Sequence, residues 1–265
     1  MAPSEPPVNT CPCPKFSPLP TCTYHEDLEK PNTVDITSLY LISNSAPVNT
    51  CQPIVWVLGG PGAGKSTQCE MIVAKYGFTH LSTGELLRAE VECGSERSKY
   101  LTAIMDQGGL VPNEVVLCLL KEAIEIMEAD SNGFLLDGYP RERCQAITFE
   151  ETIASPTAIL YFEVSDATLT QRLLDRAPTS DRTDDNEATI KQRLKVFLDN
   201  NQDLLDQYPN LISRINAESS REAIFAEVEK VLDPIVAAYL DSTPKHFVNA
   251  VNMPMVSEQQ KAILH

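Results

Sequence analysis

From Cys51 to about Leu240, short apolar runs alternate with longer amphipathic stretches. That alternation is the pattern of a parallel sheet covered by helices. The runs predict strands at Ile54 to Leu58, Thr79 to Leu81, Phe134 to Leu136, Ala158 to Val164 and Leu211 to Ile215. Five strands joined by helical crossovers make a doubly wound α/β sheet, and such sheets bind ligands at the carboxyl ends of their strands. The first run, IVWVL, is β-branched and aromatic, and after it Cys69, Ile72, Val73 and Tyr76 recur at helical spacing. Between them lies GGPGAGKST, residues 59 to 67, so its glycines fall at a strand-to-helix turn.

The two ends of the chain read differently. Residues 1–50 carry PSEPP, CPCPKFSPLPT and SNSAPVNT, and too few apolar side chains remain to offset the entropy of ordering them. A flexible extension is expected there. Its Cys11, Cys13 and Cys22 lack the C-x-x-C pairs and partner histidines of a structural zinc site, and His25 alone does not complete one. Residues 241–265 contain Pro244 and Pro254 and no sustained period, which predicts a partly ordered appendage. One main domain over residues 51–240 is therefore expected, without an internal repeat.

Charge and composition narrow the function. A formal net charge of −16 argues against a general binder of nucleic acid or anionic membrane, because those surfaces require net positive charge. No apolar stretch approaches the roughly 18 residues needed to span a bilayer. Residues 1–50 contain no arginine, which disfavours a secretory signal and a mitochondrial presequence. A cytoplasmic protein is expected, with its eight cysteines mostly free thiols.

Gly59, Gly64, Lys65 and Ser66 satisfy G-x-x-x-x-G-K-[ST]. Glycines at this spacing let successive backbone N–H groups point inward, the following helix presents its positive end, and the lysine reaches the outer phosphates. The hydroxyl of Ser66 or Thr67 can lie near a magnesium ion. A nucleoside triphosphate is the expected ligand, and the chain has no N-K-x-D guanine-reading motif. The loop alone leaves open whether water or a second molecule attacks the terminal phosphate.

Four further stretches answer that question together: LSTGELLRAEV, GGLVPNEVV, GFLLDGYPRERCQA and TQRLLDRAPTSDRTDDNEATIKQRLKVF, in this order after the loop. With it they resemble the adenylate kinase family of nucleoside monophosphate kinases, in its short-lid cytosolic form, over roughly residues 51–240. The resemblance implies a P-loop NTPase fold with a helical monophosphate-binding insertion at about 82–111 and a short lid at about 175–185. It implies the reaction MgATP + AMP ⇌ 2 ADP, with Mg2+ carried by ATP rather than held by direct protein ligands. ATP, AMP and ADP are then the partners, and a monomer is expected.

It also implies roles for residues. Gly62, Ala63, Gly64, Lys65, Ser66 and Thr67 hold the ATP phosphates, with Ser219 near the adenine. Arg88 and Arg141 clamp the AMP phosphate, a task for which bidentate forks suit better than lysine. Arg176 and Arg182 close over the reacting phosphates from the lid, and Arg193 joins from the helix behind it. Asp137 orients the hydration shell of magnesium, the alternative being a buried structural carboxylate. Thr83, Gly109, Leu110, Val111, Gly138, Tyr139, Pro140 and Gln145 complete the AMP site. In this family a Gln four residues after the DGYPR arginine faces adenine, where pyrimidine-preferring relatives carry Asn, so Gln145 favours AMP over UMP or CMP.

The residues point the same way on their own, since Arg88, Arg141, Arg176, Arg182 and Arg193 are expected in loops or helix starts on the ligand side of the sheet. Five guanidiniums and a lysine in one cleft would repel one another unless several negative charges lay between them, as two nucleotides end to end supply. Arg172 is read instead as a solvated surface charge paired with acids. Three departures from the family pattern stand out. Ser66 replaces a Gly, Asp181 adds negative charge beside Arg182, and Ser219 replaces a Gly near adenine. Asp184 and Asp185 read as hinge or arginine partners, and the lid has no Cys for a structural zinc. Trp56 reads as core, the four histidines as scattered, and the isomer of Tyr139–Pro140 stays open. Two alternatives remain: a UMP/CMP kinase on the same scaffold, and a weakly active nucleotide-binding assembly module.

Overall fold

The computed structural model describes residues 48, 50–92, 96–179 and 186–242. Five strands form one sheet: β1 (Ile54–Gly59), β2 (Thr79–Ser82), β3 (Phe134–Asp137), β4 (Ala158–Glu163) and β5 (Ile212–Asn216). Their order is β2-β3-β1-β4-β5 and every pairing is parallel, so the P-loop α/β fold expected from the sequence is the one observed. Each strand lies within a residue of its predicted bounds.

The strands alternate because both faces of the sheet are covered. Ile54, Trp56 and Leu58 of β1 enter one apolar cluster, while Val55 and Val57 enter the other. The first cluster is closed by α4 (Asn113–Met127), α5 (Arg143–Thr152) and α7 (Glu187–Gln207), through Leu120, Ile124, Phe149, Leu204 and Leu205. Trp56 is fully buried there, its ring edge-on to Phe149 and Tyr208 at centroid distances of 5.7 and 5.3 Å. Val48 is buried in the same cluster. The opposite face is covered by α1 (Lys65–Tyr76), α6 (Asp166–Arg176) and α8 (Arg221–Ser242), through Cys69, Ile72, Leu169, Val228 and Leu232.

Two helices, α2 (Thr83–Glu92) and α3 (Glu96–Asp106), fill the stretch between β2 and α4. The chain then passes α7 closely. Gly108 has φ +70°, and a Cβ on it would stand 3.0 Å from Thr189 O and 3.1 Å from Arg193 Cγ. Any side chain there would push α7 away. Asn186 caps α7, its side-chain oxygen accepting the Thr189 N–H at 3.0 Å, and Thr189 Oγ1 donates to the carbonyl of Asp106 at 2.6 Å. Asn186→Ala is expected to lower stability by about 1 kcal/mol, read as a fall in the urea midpoint at unchanged m-value; an unchanged midpoint would show that the cap carries no load.

Candidate active site

Strands β1, β2 and β3 end at the same edge, delivering Gly59, Ser82 and Asp137 together. The turn after β1 needs its first glycine. Gly59 has φ +141°, and a Cβ there would meet the Phe162 carbonyl oxygen at 2.8 Å. From this turn the chain enters α1 at Lys65, with Gly64 in the left-handed conformation. Lys65 Nζ donates to the carbonyls of Gly59 at 3.0 Å and Gly60 at 2.9 Å, so the ammonium folds back over its own loop. Burial lowers the Lys65 pKa, Arg141 and Arg193 push in the same direction, and the Asp137 carboxylate opposes them.

Asp137 is 5% exposed. Burial pushes its carboxyl up, but hydrogen bonds from His80 and Ser66 and the charge of Lys65 outweigh that and hold it below the ordinary 3.8. Ser66 Oγ donates to Asp137 Oδ2 at 3.0 Å, and His80 Nε2 lies 3.3 Å from the same oxygen. The serine that departs from the family pattern is thus tied to the carboxylate at the mouth of the loop. Both readings of Asp137 meet in this position: it is buried, and it also lines the cleft.

That cleft is walled by Gly62, Gly64, Lys65, Ser66 and Thr67 of the loop, and by Arg88, Arg141, Arg172, Arg176 and Arg193. Five arginines and a lysine therefore line one cavity among the described residues. Arg172 is one of them, in a place on the cleft wall that the sequence did not suggest; it is half-buried and has the acid Glu218 within electrostatic reach, as the reading of a charge paired with acids expects. Its Nη2 donates at 3.0 Å to the carbonyl of Ala217, after β5, and this anchor turns the side chain along the cleft wall. The expectation of loops or helix starts is also corrected. Arg88 lies within α2, Arg176 is the last residue of α6 and Arg193 lies in the second turn of α7; Arg141 alone among these is in a loop. A helix flank reaches the cleft as well as its start does, because long side chains project sideways from it.

A second cavity opens beside the first. Its walls include Thr83, Gly109, Leu110, Val111, Tyr139 and Gln145, and it shares Gly84, Arg88, Gly138, Arg141 and Arg193 with the phosphate cleft. Thr83 Oγ1 donates to the carbonyl of Gly138 at 3.1 Å, fixing α2 to the end of β3. Gln145 is buried; its Oε1 accepts the Arg141 N–H at 2.8 Å, and its backbone carbonyl lies 2.9 Å from the Tyr139 hydroxyl. Arg141 Nε donates to Gly138 O at 2.8 Å. Arg88 is held by Glu85 through two contacts, one of them Nε to Oε2 at 3.3 Å. The Tyr139–Pro140 bond is cis, and Pro140 lines a third hollow, between the loop and α7.

Two of the expected residues stand apart from these walls. Ala63 is buried in the apolar cluster under α6, and Ser219 sits exposed in the turn before α8. Arg182, Asp181, Asp184 and Asp185 lie outside the described residues, as do Cys11, Cys13, Cys22 and His25. The described cysteines, Cys51, Cys69, Cys118 and Cys144, are free thiols. No helix among the described residues is long and apolar enough to cross a membrane.

A glycine loop of this spacing on a parallel sheet, facing two cavities that have Arg88, Arg141 and Arg193 in common, defines the class of the chain as that of the P-loop proteins. Its family follows from comparison. The family model for adenylate kinase matches residues 57–212. Adenylate kinase isoenzyme 1 of Rattus norvegicus is 50% identical over 184 residues, covering 69% of this chain and 95% of the rat protein. The isoenzyme 1 of Caenorhabditis elegans is 52% identical over 194 residues, 72% of this chain and 92% of its own length. That of Homo sapiens is 49% identical over 184 residues, with 69% and 95% covered. The chain belongs to the adenylate kinase family, isoenzyme 1 type, and is a nucleoside monophosphate kinase. Neither the UMP/CMP kinase nor the weakly active module is favoured by these relatives.

Proposed function

We propose that the chain transfers the terminal phosphoryl group of ATP to AMP, giving two ADP, with ATP over the glycine loop and AMP in the cavity of Thr83 and Gln145. One observation carries this reading: Arg88, Arg141 and Arg193 line both cavities. Cationic side chains common to two nucleotide sites mark the place where the two phosphate ends meet. The attacking oxygen belongs to a phosphate already ionised at neutral pH, so no general base is needed. What remains is alignment and stabilisation of charge spread over the migrating group.

In this reading Lys65 and the backbone of residues 62–67 bind the ATP phosphates, and Arg88 and Arg141 bind the AMP phosphate. Arg88 exchanges Glu85 for it. Arg176, Arg193 and the lid's Arg182 hold the group in transit, and Arg172 joins them from the same wall. The segments at about 82–111 and 175–185 serve as the monophosphate-binding insertion and the lid, whose closure excludes water. Ser219 offers its backbone near adenine. Residues 1–50 and 241–265 lie outside the catalytic unit.

Magnesium fits the donors beside the loop. Ser66 Oγ and Asp137 Oδ2, 3.0 Å apart, offer hard oxygen, and Asp137 is held ionised. Bound with ATP, the ion neutralises phosphate charge; Asp137 and the hydroxyls of Ser66 and Thr67 orient its water shell. The protein acts in the cytoplasm as a monomer.

Gln145 sets the acceptor. Its Oε1 is engaged by the Arg141 N–H, so the amide offers its N–H donors to the base. AMP is expected to be phosphorylated faster than CMP or UMP in a coupled assay with MgATP and each acceptor in turn. Equal or faster use of CMP would overturn the assignment of Gln145 to adenine.

A further inference from the structure

Behind the phosphate loop, three potential metal ligands of different chemistry converge from three elements. Cys69 lies in α1, His80 in β2 and Asp137 at the end of β3. A thiol sulfur, an imidazole nitrogen and a carboxylate oxygen from these residues all lie within 4.8 Å of one another. His80 Nε2 already stands 3.3 Å from Asp137 Oδ2, and Ser66 Oγ stands 3.0 Å from the same oxygen. The roles proposed above use Asp137 and Ser66 but leave Cys69 and His80 without a task.

The distances suit a small tetrahedral ion. With a sulfur at ~2.3 Å and nitrogen or oxygen at ~2.0 Å, a tetrahedral zinc ion spaces its ligand atoms about 3.3 to 3.5 Å apart. One pair is at that separation now, and any other closes to it by no more than roughly 1.3 Å, within the reach of side-chain rotation. The donor set also discriminates between ions. A thiolate beside an imidazole selects a borderline-soft ion such as Zn2+, whereas Mg2+ demands oxygen ligands in an octahedron. Charge fits too, since a dication with one thiolate and one carboxylate is neutral, as a buried group of residues requires. Of the three, Asp137 lines the cleft and the His80 side chain is 24% exposed, while Cys69 is fully buried behind them, so an ion reaches the sulfur past the other two ligands.

We propose that Cys69, His80 and Asp137 form a binding site for a zinc-like divalent cation, with the Ser66 hydroxyl or a water as the fourth ligand. On binding, the Cys69 thiol gives its proton to solvent and its sulfur takes the metal bond. The ion draws Asp137 away from the phosphate cleft and inhibits phosphoryl transfer. The inhibition rests on the reading of Asp137 as a group that serves MgATP; the binding does not.

Cobalt tests the site apart from activity. The full-length chain, stripped with chelator and titrated with Co2+, is expected to show thiolate-to-cobalt charge-transfer absorption and the intense visible bands of tetrahedral cobalt. Those bands are lost in Cys69→Ala and in His80→Gln, while Cys69→Ala keeps its activity with MgATP and AMP in zinc-free buffer. A wild-type spectrum without the bands overturns the site, and so do bands that survive either substitution. With MgATP in excess, Zn2+ is expected to inhibit the wild type, and Cys69→Ala to need at least about tenfold more Zn2+, the loss that even an outer partner of a metal site produces. Cobalt bands that behave as expected, with zinc inhibition equal in both proteins, would keep the site and remove Asp137 from the reaction.

Discussion

Arg141→Ala is expected to lower turnover by about 10³-fold or more, the scale on which an arginine stabilises a phosphoryl group in transit. The fold should hardly notice. Arg141 is exposed, in the loop between β3 and α5, and its side-chain bond to the Gly138 carbonyl is local. Exposed substitutions of this kind change stability by about 0.5 kcal/mol or less. The bond that shapes the neighbourhood, from the Arg141 N–H to Gln145 Oε1, uses the backbone and survives the substitution. The result to look for is a collapse of ADP formation from ATP and AMP at an unchanged melting temperature. Arg141→Lys adds a second reading, since a point charge without the planar fork should restore only part of the rate. Near-wild-type rates in Arg141→Ala would take this side chain out of the reaction and leave Arg88 and Arg193 as the cations common to the two cavities.

The residues that were legible in the sequence are those whose evidence is local. Each strand announced itself by a short β-branched or aromatic run, and the glycine loop by its spacing between such a run and a helical period. Gly59 is needed by a carbonyl of β4, but its signature, like that of Lys65, is confined to nine residues of sequence. What escaped depends on contacts across the fold. Arg172 is oriented by the carbonyl of Ala217, 45 residues further on. Local sequence offered it only nearby acids. His80 passed as a scattered histidine because its partner, Asp137, is 57 positions away and arrives by the parallel pairing of β2 with β3. Helix periodicity showed which residues face the core, yet it could not say that Arg88 and Arg193 reach the cleft from helix flanks.

Lys65→Met is expected to reduce turnover by about 10³-fold, through loss of a positioned cation where charge develops. Methionine keeps the length and the unbranched shape, so the comparison isolates the ammonium. Lys65 is held below its ordinary pKa first by burial and then by Arg141 and Arg193, with Asp137 opposing them. An ammonium in such surroundings costs stability in the absence of phosphate, so the variant should melt no lower than the parent although the carbonyls of Gly59 and Gly60 lose their donor. The kinetic signature follows from the same placement. A cation that contacts the group in transit gains most when charge builds up there, so kcat should fall far more than KM rises. A variant in which KM alone rose, with kcat intact, would show that Lys65 merely binds ATP and that the arginines carry the transfer. A lower melting temperature would show that the folded-back ammonium is a structural clasp of the loop.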